Sequence, residues 1–189
     1  RAPPGGRGAG HHGVGGVRLT ARSDITLYRI GTDTPSYTAD DRSGIGAELA
    51  PGRWNEKGTP VLYTATSRAL ACLETLVHTA PAGAFPFNRY LVEITVPADA
   101  WSARTRCRPT DTHVIGWDAI PAGLVSKAWG QQWLADGHSL LAEVPSVVVP
   151  EESNVLINPR HADVGRITTR KVRRWLYDPR CWNPAAMGR

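Results

Sequence analysis

Cysteine is scarce in this chain: Cys72, Cys107 and Cys181 are the only three, and they lie far apart. An odd, dispersed set does not make a disulfide framework, and no C-x-x-C or paired Cys/His spacing offers a structural zinc site. A reducing, cytoplasmic setting is therefore expected, with no metal. Long apolar runs are missing too. Nowhere do about 18 apolar residues follow one another, so no membrane span is expected. Neither G-x-G-x-x-G after a strand nor G-x-x-x-x-G-K-[ST] occurs, which removes the common nucleotide-cradling loops. No G-x-S-x-G elbow surrounds any serine, so a hydrolase-type serine nucleophile is not indicated.

Positive charge is present but uneven. The formal net charge of +5 arises at the two ends of the 189 residues. Residues 1–22 carry four arginines and no acid, and residues 160–189 carry eight bases against Asp163 and Asp178. The stretch between them has ten bases and fifteen acids, a net of −5. A basic chain invites a nucleic-acid reading, but a mildly acidic body with basic ends does not support one. No direct nucleic-acid contact is expected.

Seven of the 19 glycines fall within residues 1–22, with almost nothing there to bury. The composition predicts a disordered Gly/Arg-rich leader, without the apolar core of a secretory signal. The folded domain is expected over 23–189. Strands are predicted at 25–30, 60–64, 88–96, 139–143, 146–149, 154–157 and 167–173, from β-branched and aromatic runs between turn residues. A helix over 67–80 follows from an N-capping Ser67, apolar residues at helical spacing and Pro81 as a stop. A second helix over 124–134 closes at Asp136-Gly137. Segments 31–52 and 97–122 read as irregular. Short strands with a few interspersed helices and no β-α-β alternation predict an α+β fold.

On a helical wheel the apolar stripe of 67–80 centres between Ala69 and Leu73, which puts Glu74 at its margin beside Leu70 and Val77. A carboxylate there is expected to be partly buried, with a cation as its natural partner. Its plainer alternatives are a snorkelling edge residue or an i,i+4 partner of His78. Arg53 beside a Pro-Gly turn suits an anion fork, or else stacks on Trp54. Arg29 interrupts an apolar strand and faces either solvent or a cleft. Tyr63 is by default a core aromatic with a partnered hydroxyl. Arg104, Arg106 and Arg108 alternate without an evident purpose, as a solvated edge does.

Longer blocks narrow these alternatives. Gly52-Arg53-Trp54-Asn55, then Gly58-Thr59-Pro60-Val61-Leu62-Tyr63-Thr64, then Ala69 to His78 resemble the RES-domain family, the toxin half of bacterial RES–Xre toxin–antitoxin pairs. So do the run from Val144 to Pro159 and the segment Trp175 to Arg180. The resemblance spans about residues 25–181. It implies a fold like that of ADP-ribosyltransferase toxins and the consumption of NAD⁺ as substrate, with no resident cofactor. It implies cleavage of the nicotinamide–ribose bond by hydrolysis or phosphorolysis, or alternatively transfer of ADP-ribose to a host protein. A non-catalytic antitoxin-binding domain is the remaining alternative. Arg53, Tyr63, Glu74 and Ser146 are the implied catalytic set, with Tyr28, Arg29, Asn55 and Asn154 as NAD⁺ contacts. Glu74 would stabilise the ribosyl cation, and Arg53 and Arg29 would bind pyrophosphate and pair with Glu74. Tyr63 would pack on the nicotinamide end, and Ser146 would hydrogen-bond substrate or orient an arginine rather than attack. The implied partner is an Xre-type antitoxin, in an oligomeric complex.

Overall fold

The computed structural model describes residues 23–79 and 86–181. The predicted leader at 1–22 and the helix stop at Pro81 lie outside these residues. Among the described residues seven strands form one sheet in the order β4-β5-β6-β2-β1-β3-β7. They are β1 (Ile25–Thr32), β2 (Leu62–Ala65), β3 (Arg89–Val96), β4 (Thr105–Arg106), β5 (Leu141–Pro145), β6 (Ser153–Ile157) and β7 (Thr168–Arg174). All neighbours are antiparallel except β4 and β5. The helices are α1 (Ile45–Leu49), α2 (Arg68–Thr79), α3 (Ala98–Ser102) and α4 (Leu124–Asp136). A largely antiparallel sheet with α2 and α4 on one face is an α+β arrangement.

Alternation along the strands decides what each face holds. Leu27, Leu62, Val92, Ile94, Leu141, Val155 and Ile157 form one core cluster, closed by Ala39 from the loop after β1 and Ala100 of α3. On the opposite face, Ile30, Ala65 and Leu91 pack against Leu70 and Ala71 of α2 and Tyr177 of the C-terminal segment. Beside them, Leu156, Val144 and Ala142 pack against Trp54, Trp117 and Trp133 of α4. Both helices thus cover the same side of the sheet.

The helix boundaries follow the predicted caps. Ser67 Oγ accepts from the Leu70 amide at 3.1 Å, so it caps α2 as expected. Gly137 closes α4 in the left-handed region, with φ 59°, and its amide reaches the Trp133 carbonyl. The buried stripe of α2, however, is Leu70 and Ala71, while Leu73 and Val77 remain exposed. The wheel placed it one position off, because it weighed apolarity alone. Glu74 lies four residues beyond Leu70 and three beyond Ala71, so it projects toward the sheet.

Other expectations change. The strand predicted at 146–149 is a turn, since β5 ends at Pro145 and Ser146 starts a tight reversal into β6. Val147-Val148-Val149 has strand propensity, but the Ser146 hydroxyl accepts from the Val148 and Val149 amides and removes them from any ladder. The irregular 31–52 contains α1, and 97–122 contains α3 and the two-residue β4. The alternating arginines acquire a purpose there. Arg104 and Arg106 both direct Nε to Glu143 Oε2, at 2.6 and 3.0 Å. Burial works against the Glu143 charge, but the two guanidinium groups outweigh it and hold its pKa below the usual carboxylate range.

The tightest approach in the helix layer is Gly130 of α4 against the Trp54 backbone, where an added Cβ would lie 1.9 Å from the Trp54 carbonyl oxygen. Gly130→Ala is expected to cost about 1–3 kcal/mol through forced displacement of α4, read as a lower denaturation midpoint in urea. Unchanged stability would contradict this packing.

Candidate active site

Glu74 is the meeting point of three elements. It stands on α2, and its Oε1 accepts two hydrogen bonds from the opposite side of the site. Ser146 Oγ, just beyond β5, donates at 2.8 Å, and Asn154 Nδ2, on β6, donates at 2.5 Å. Asn154 is held in register between Ala65 of β2 and Val144 of β5. The Ser146 side chain is fully buried. Its two acceptor positions are occupied by the Val148 and Val149 amides at 3.1 and 3.0 Å, so its single hydrogen is directed at Glu74. A hydroxyl so committed has its hydrogen and both acceptor positions used within the protein. The start of α2 is tied to the same turn, because Ser67 Oγ donates to Glu152 Oε2 at 2.9 Å.

Among the described residues no cation forms an ion pair with Glu74. The expected arginine partners are elsewhere, and two neutral donors serve instead. Nor is His78 bonded to it. Arg53 sends Nη1 to the carbonyl oxygens of Trp117 and Ala119, at 2.7 and 2.8 Å, and so fastens the loop before α4. Arg29 pairs in register with Val92 on the face opposite α2. Burial there lowers its pKa, opposed by the nearby charges of Asp41 and Asp40.

Tyr63 and Asn55 form a second hydrogen-bonded unit. The Tyr63 hydroxyl donates to Asn55 Oδ1 and accepts from the Trp54 amide, both at 2.9 Å. Burial pushes the phenol pKa well above its usual value. Asn55 is completely buried. Its Oδ1 also accepts from the Gly52 amide, and its Nδ2 reaches the carbonyls of Ala47, Glu56 and Thr59. Every polar atom of this side chain is engaged within the protein, where it holds the 52–59 loop. Gly52 is required beside it, since an added Cβ would lie 2.7 Å from the Tyr63 ring. Tyr28 sits on the α2 side of β1, with the Arg68 guanidinium 4.4 Å above its ring.

The structure therefore brings Glu74, Ser146 and Asn154 together and joins Arg53, Asn55 and Tyr63 through one loop, while Arg29 stands apart. The carbonyls of Trp117 and Ala119 were not foreseen, and backbone acceptors in an irregular loop leave no residue-type signal. Leu73 and Val77, both to one side of Glu74 around α2, are exposed, and so is Leu176 in the C-terminal segment. A cavity of about 640 Å³ lies instead against α4 between Trp129, Trp133 and His113.

This constellation lies within a match to the RES domain over residues 26–179. The chain belongs to the RES-domain family. It is 54% identical over 155 residues to the "Prs ADP-ribosylating toxin" of Sphingobium sp. (strain YBL2), covering 82% of this chain and 95% of that protein. It is 38% identical over 138 residues to a "Toxin Res" of Yersinia enterocolitica, covering 72% of this chain and 86% of the relative. A "Toxin Res" of Photorhabdus laumondii is 34% identical over 139 residues, covering 74% of this chain and 85% of its own length.

Removing the Tyr63 hydroxyl leaves the buried Trp54 amide without its acceptor. Tyr63→Phe is expected to lower unfolding free energy by about 1–3 kcal/mol, measured by denaturant titration. A variant as stable as the parent would show that the hydroxyl does not hold the loop.

Proposed function

We propose that this protein is a toxin that consumes NAD⁺ by breaking the bond between nicotinamide and the ribose anomeric carbon. One observation carries the reading: Glu74 presents a carboxylate fixed at one oxygen by Ser146 and Asn154, inside the family match. Family membership and the relatives' names support the toxin role, and the ADP-ribosylating name of one relative supports NAD⁺ as the substrate class.

The chemistry asks little acid–base work of the protein. The pyridinium carries positive charge in NAD⁺, and nicotinamide departs neutral with the bonding electron pair. No proton need reach the leaving group, unlike the oxygen of an ordinary glycoside. Charge passes to the ribose as an oxocarbenium-like cation, and a preorganised carboxylate stabilises it electrostatically. In this reading Glu74 Oε2 faces the sugar. Arg53 lends its remaining donors, Nε and Nη2, to the pyrophosphate while Nη1 stays on the Trp117 and Ala119 carbonyls. Tyr63 shapes that loop from beneath. An incoming nucleophile bonds to the anomeric carbon and loses a proton. Water gives ADP-ribose, and inorganic phosphate gives the sugar 1-phosphate.

A second reading, transfer to a protein acceptor, is favoured by the name of the Sphingobium relative and by the open apolar surface of Leu73 and Val77 beside Glu74. The bond broken is the same. An Xre-type antitoxin is the proposed partner. It would keep the activity from the producing cell by covering this surface in an oligomeric complex.

Purified protein free of antitoxin should release nicotinamide from NAD⁺ when incubated with buffer, with phosphate, or with cell lysate and labelled NAD⁺. Chromatography then separates ADP-ribose from the sugar 1-phosphate, and gel analysis detects labelled protein. Nicotinamide release under any of the three conditions supports the proposal, and the co-product identifies the acceptor. Folded protein that releases none under all three would overturn it.

A further inference from the structure

We infer that Asn154 is a positioning residue for the Glu74 carboxylate, selecting which of its two oxygens does the chemistry; this rests on the proposed role of Glu74. A glutamate side chain has three rotatable bonds, and its carboxylate oxygens exchange by a half-turn of the last one. Catalysis by a preorganised charge requires that this freedom be removed before substrate arrives. Both donors in this site converge on the same atom. Ser146 Oγ and Asn154 Nδ2 each reach Oε1, at 2.8 and 2.5 Å. Oε1 thus faces the sheet, and Oε2 is turned away from both donors as the oxygen available to a ligand.

The two donors differ in what holds them. Ser146 is fixed by the tight turn it caps, through the Val148 and Val149 amides. Asn154 is fixed by the sheet, with strand neighbours on both sides. Together they reference a side chain on a surface helix to the central sheet and to the β5–β6 turn at once. Asn154 was expected to touch ligand directly. Its amide is aimed at the carboxylate, so its effect on the reaction passes through Glu74. The donors are neutral, so they align the carboxylate without cancelling the negative charge that must meet the ribosyl cation. An arginine in the same place would cancel it.

Isosteric substitution separates this role from packing. Asn154→Asp keeps the shape of the side chain but replaces a donor with a second carboxylate. Asn154→Ala removes the donor without adding charge, and Asn154→Ser offers a hydroxyl too short to reach Oε1. Nicotinamide release is measured across NAD⁺ concentration, with melting temperature as a check on folding and Glu74→Gln as the reference.

Asn154→Ala and Asn154→Ser are expected to lower kcat about tenfold to a hundredfold with little change in KM. Asn154→Asp is expected to be at least as impaired as Asn154→Ala at neutral pH. An Asn154→Asp variant as active as the parent, or a rise in KM with kcat unchanged, would overturn the inference in favour of packing or direct substrate contact. Full activity in Glu74→Gln would remove its premise and the proposed catalytic role together. A dead Glu74→Gln beside unaffected Asn154 variants would reject the positioning role alone.

Discussion

A surface helix carries the Glu74 carboxylate, and its position depends on one shared acceptor atom. Glu74 Oε1 receives hydrogen bonds from a turn serine and a strand asparagine. Neither donor could be placed without the sheet, because Asn154 lies on β6 and Ser146 follows β5 directly. The helix is seated by Leu70 and Ala71 against Ile30, Ala65 and Leu91. Its first turn is tied to the same β5–β6 turn through Ser67 and Glu152. Apolar packing therefore brings α2 to the sheet, and polar contacts fix its rotation. Each hydrogen bond to a charged group contributes on the order of 1.5–3 kcal/mol, comparable to the burial of a single leucine. The two together are enough to hold one carboxylate rotamer.

The second polar unit works at a different level. Tyr63, Asn55 and Gly52 satisfy one another and the backbone of the 52–59 loop, with no polar atom of Asn55 left over. Arg53 projects from that loop and bridges to the segment before α4. Trp54, stacked on Trp117 and edge-on to Trp129, locks the loop to α4. The arginine is therefore carried on a rigid support, as its proposed role of meeting an anion at a set distance from the carboxylate requires.

Much of this arrangement was legible in the residues, and the misses have physical causes. Strand runs such as Arg89–Val96 and the caps at Ser67 and Gly137 are local signals, and the chain obeys them. The Val147–Val149 run misled because β propensity ignores a hydroxyl that captures two amides. The rotation of α2 misled because apolarity alone does not know that two donors wait beneath Glu74. Arg104 and Arg106 were readable only as an alternation, since their partner Glu143 is 37 residues or more away in sequence. The family resemblance named Glu74, Ser146 and Arg53. It could not say that the arginine grips backbone carbonyls, or that Asn154 serves the glutamate.

Separating substrate binding from bond cleavage in Glu74→Gln tests the central claim most directly. A glutamine can still accept from Ser146 and Asn154 at the Oε1 position while presenting an uncharged amide where Oε2 stood. Calorimetric titration with NAD⁺ should show affinity within a few-fold of the parent protein. Nicotinamide release should fall by about a hundredfold or more. Equal rates in the two proteins would contradict the account, because the carboxylate charge would then have no part in breaking the bond.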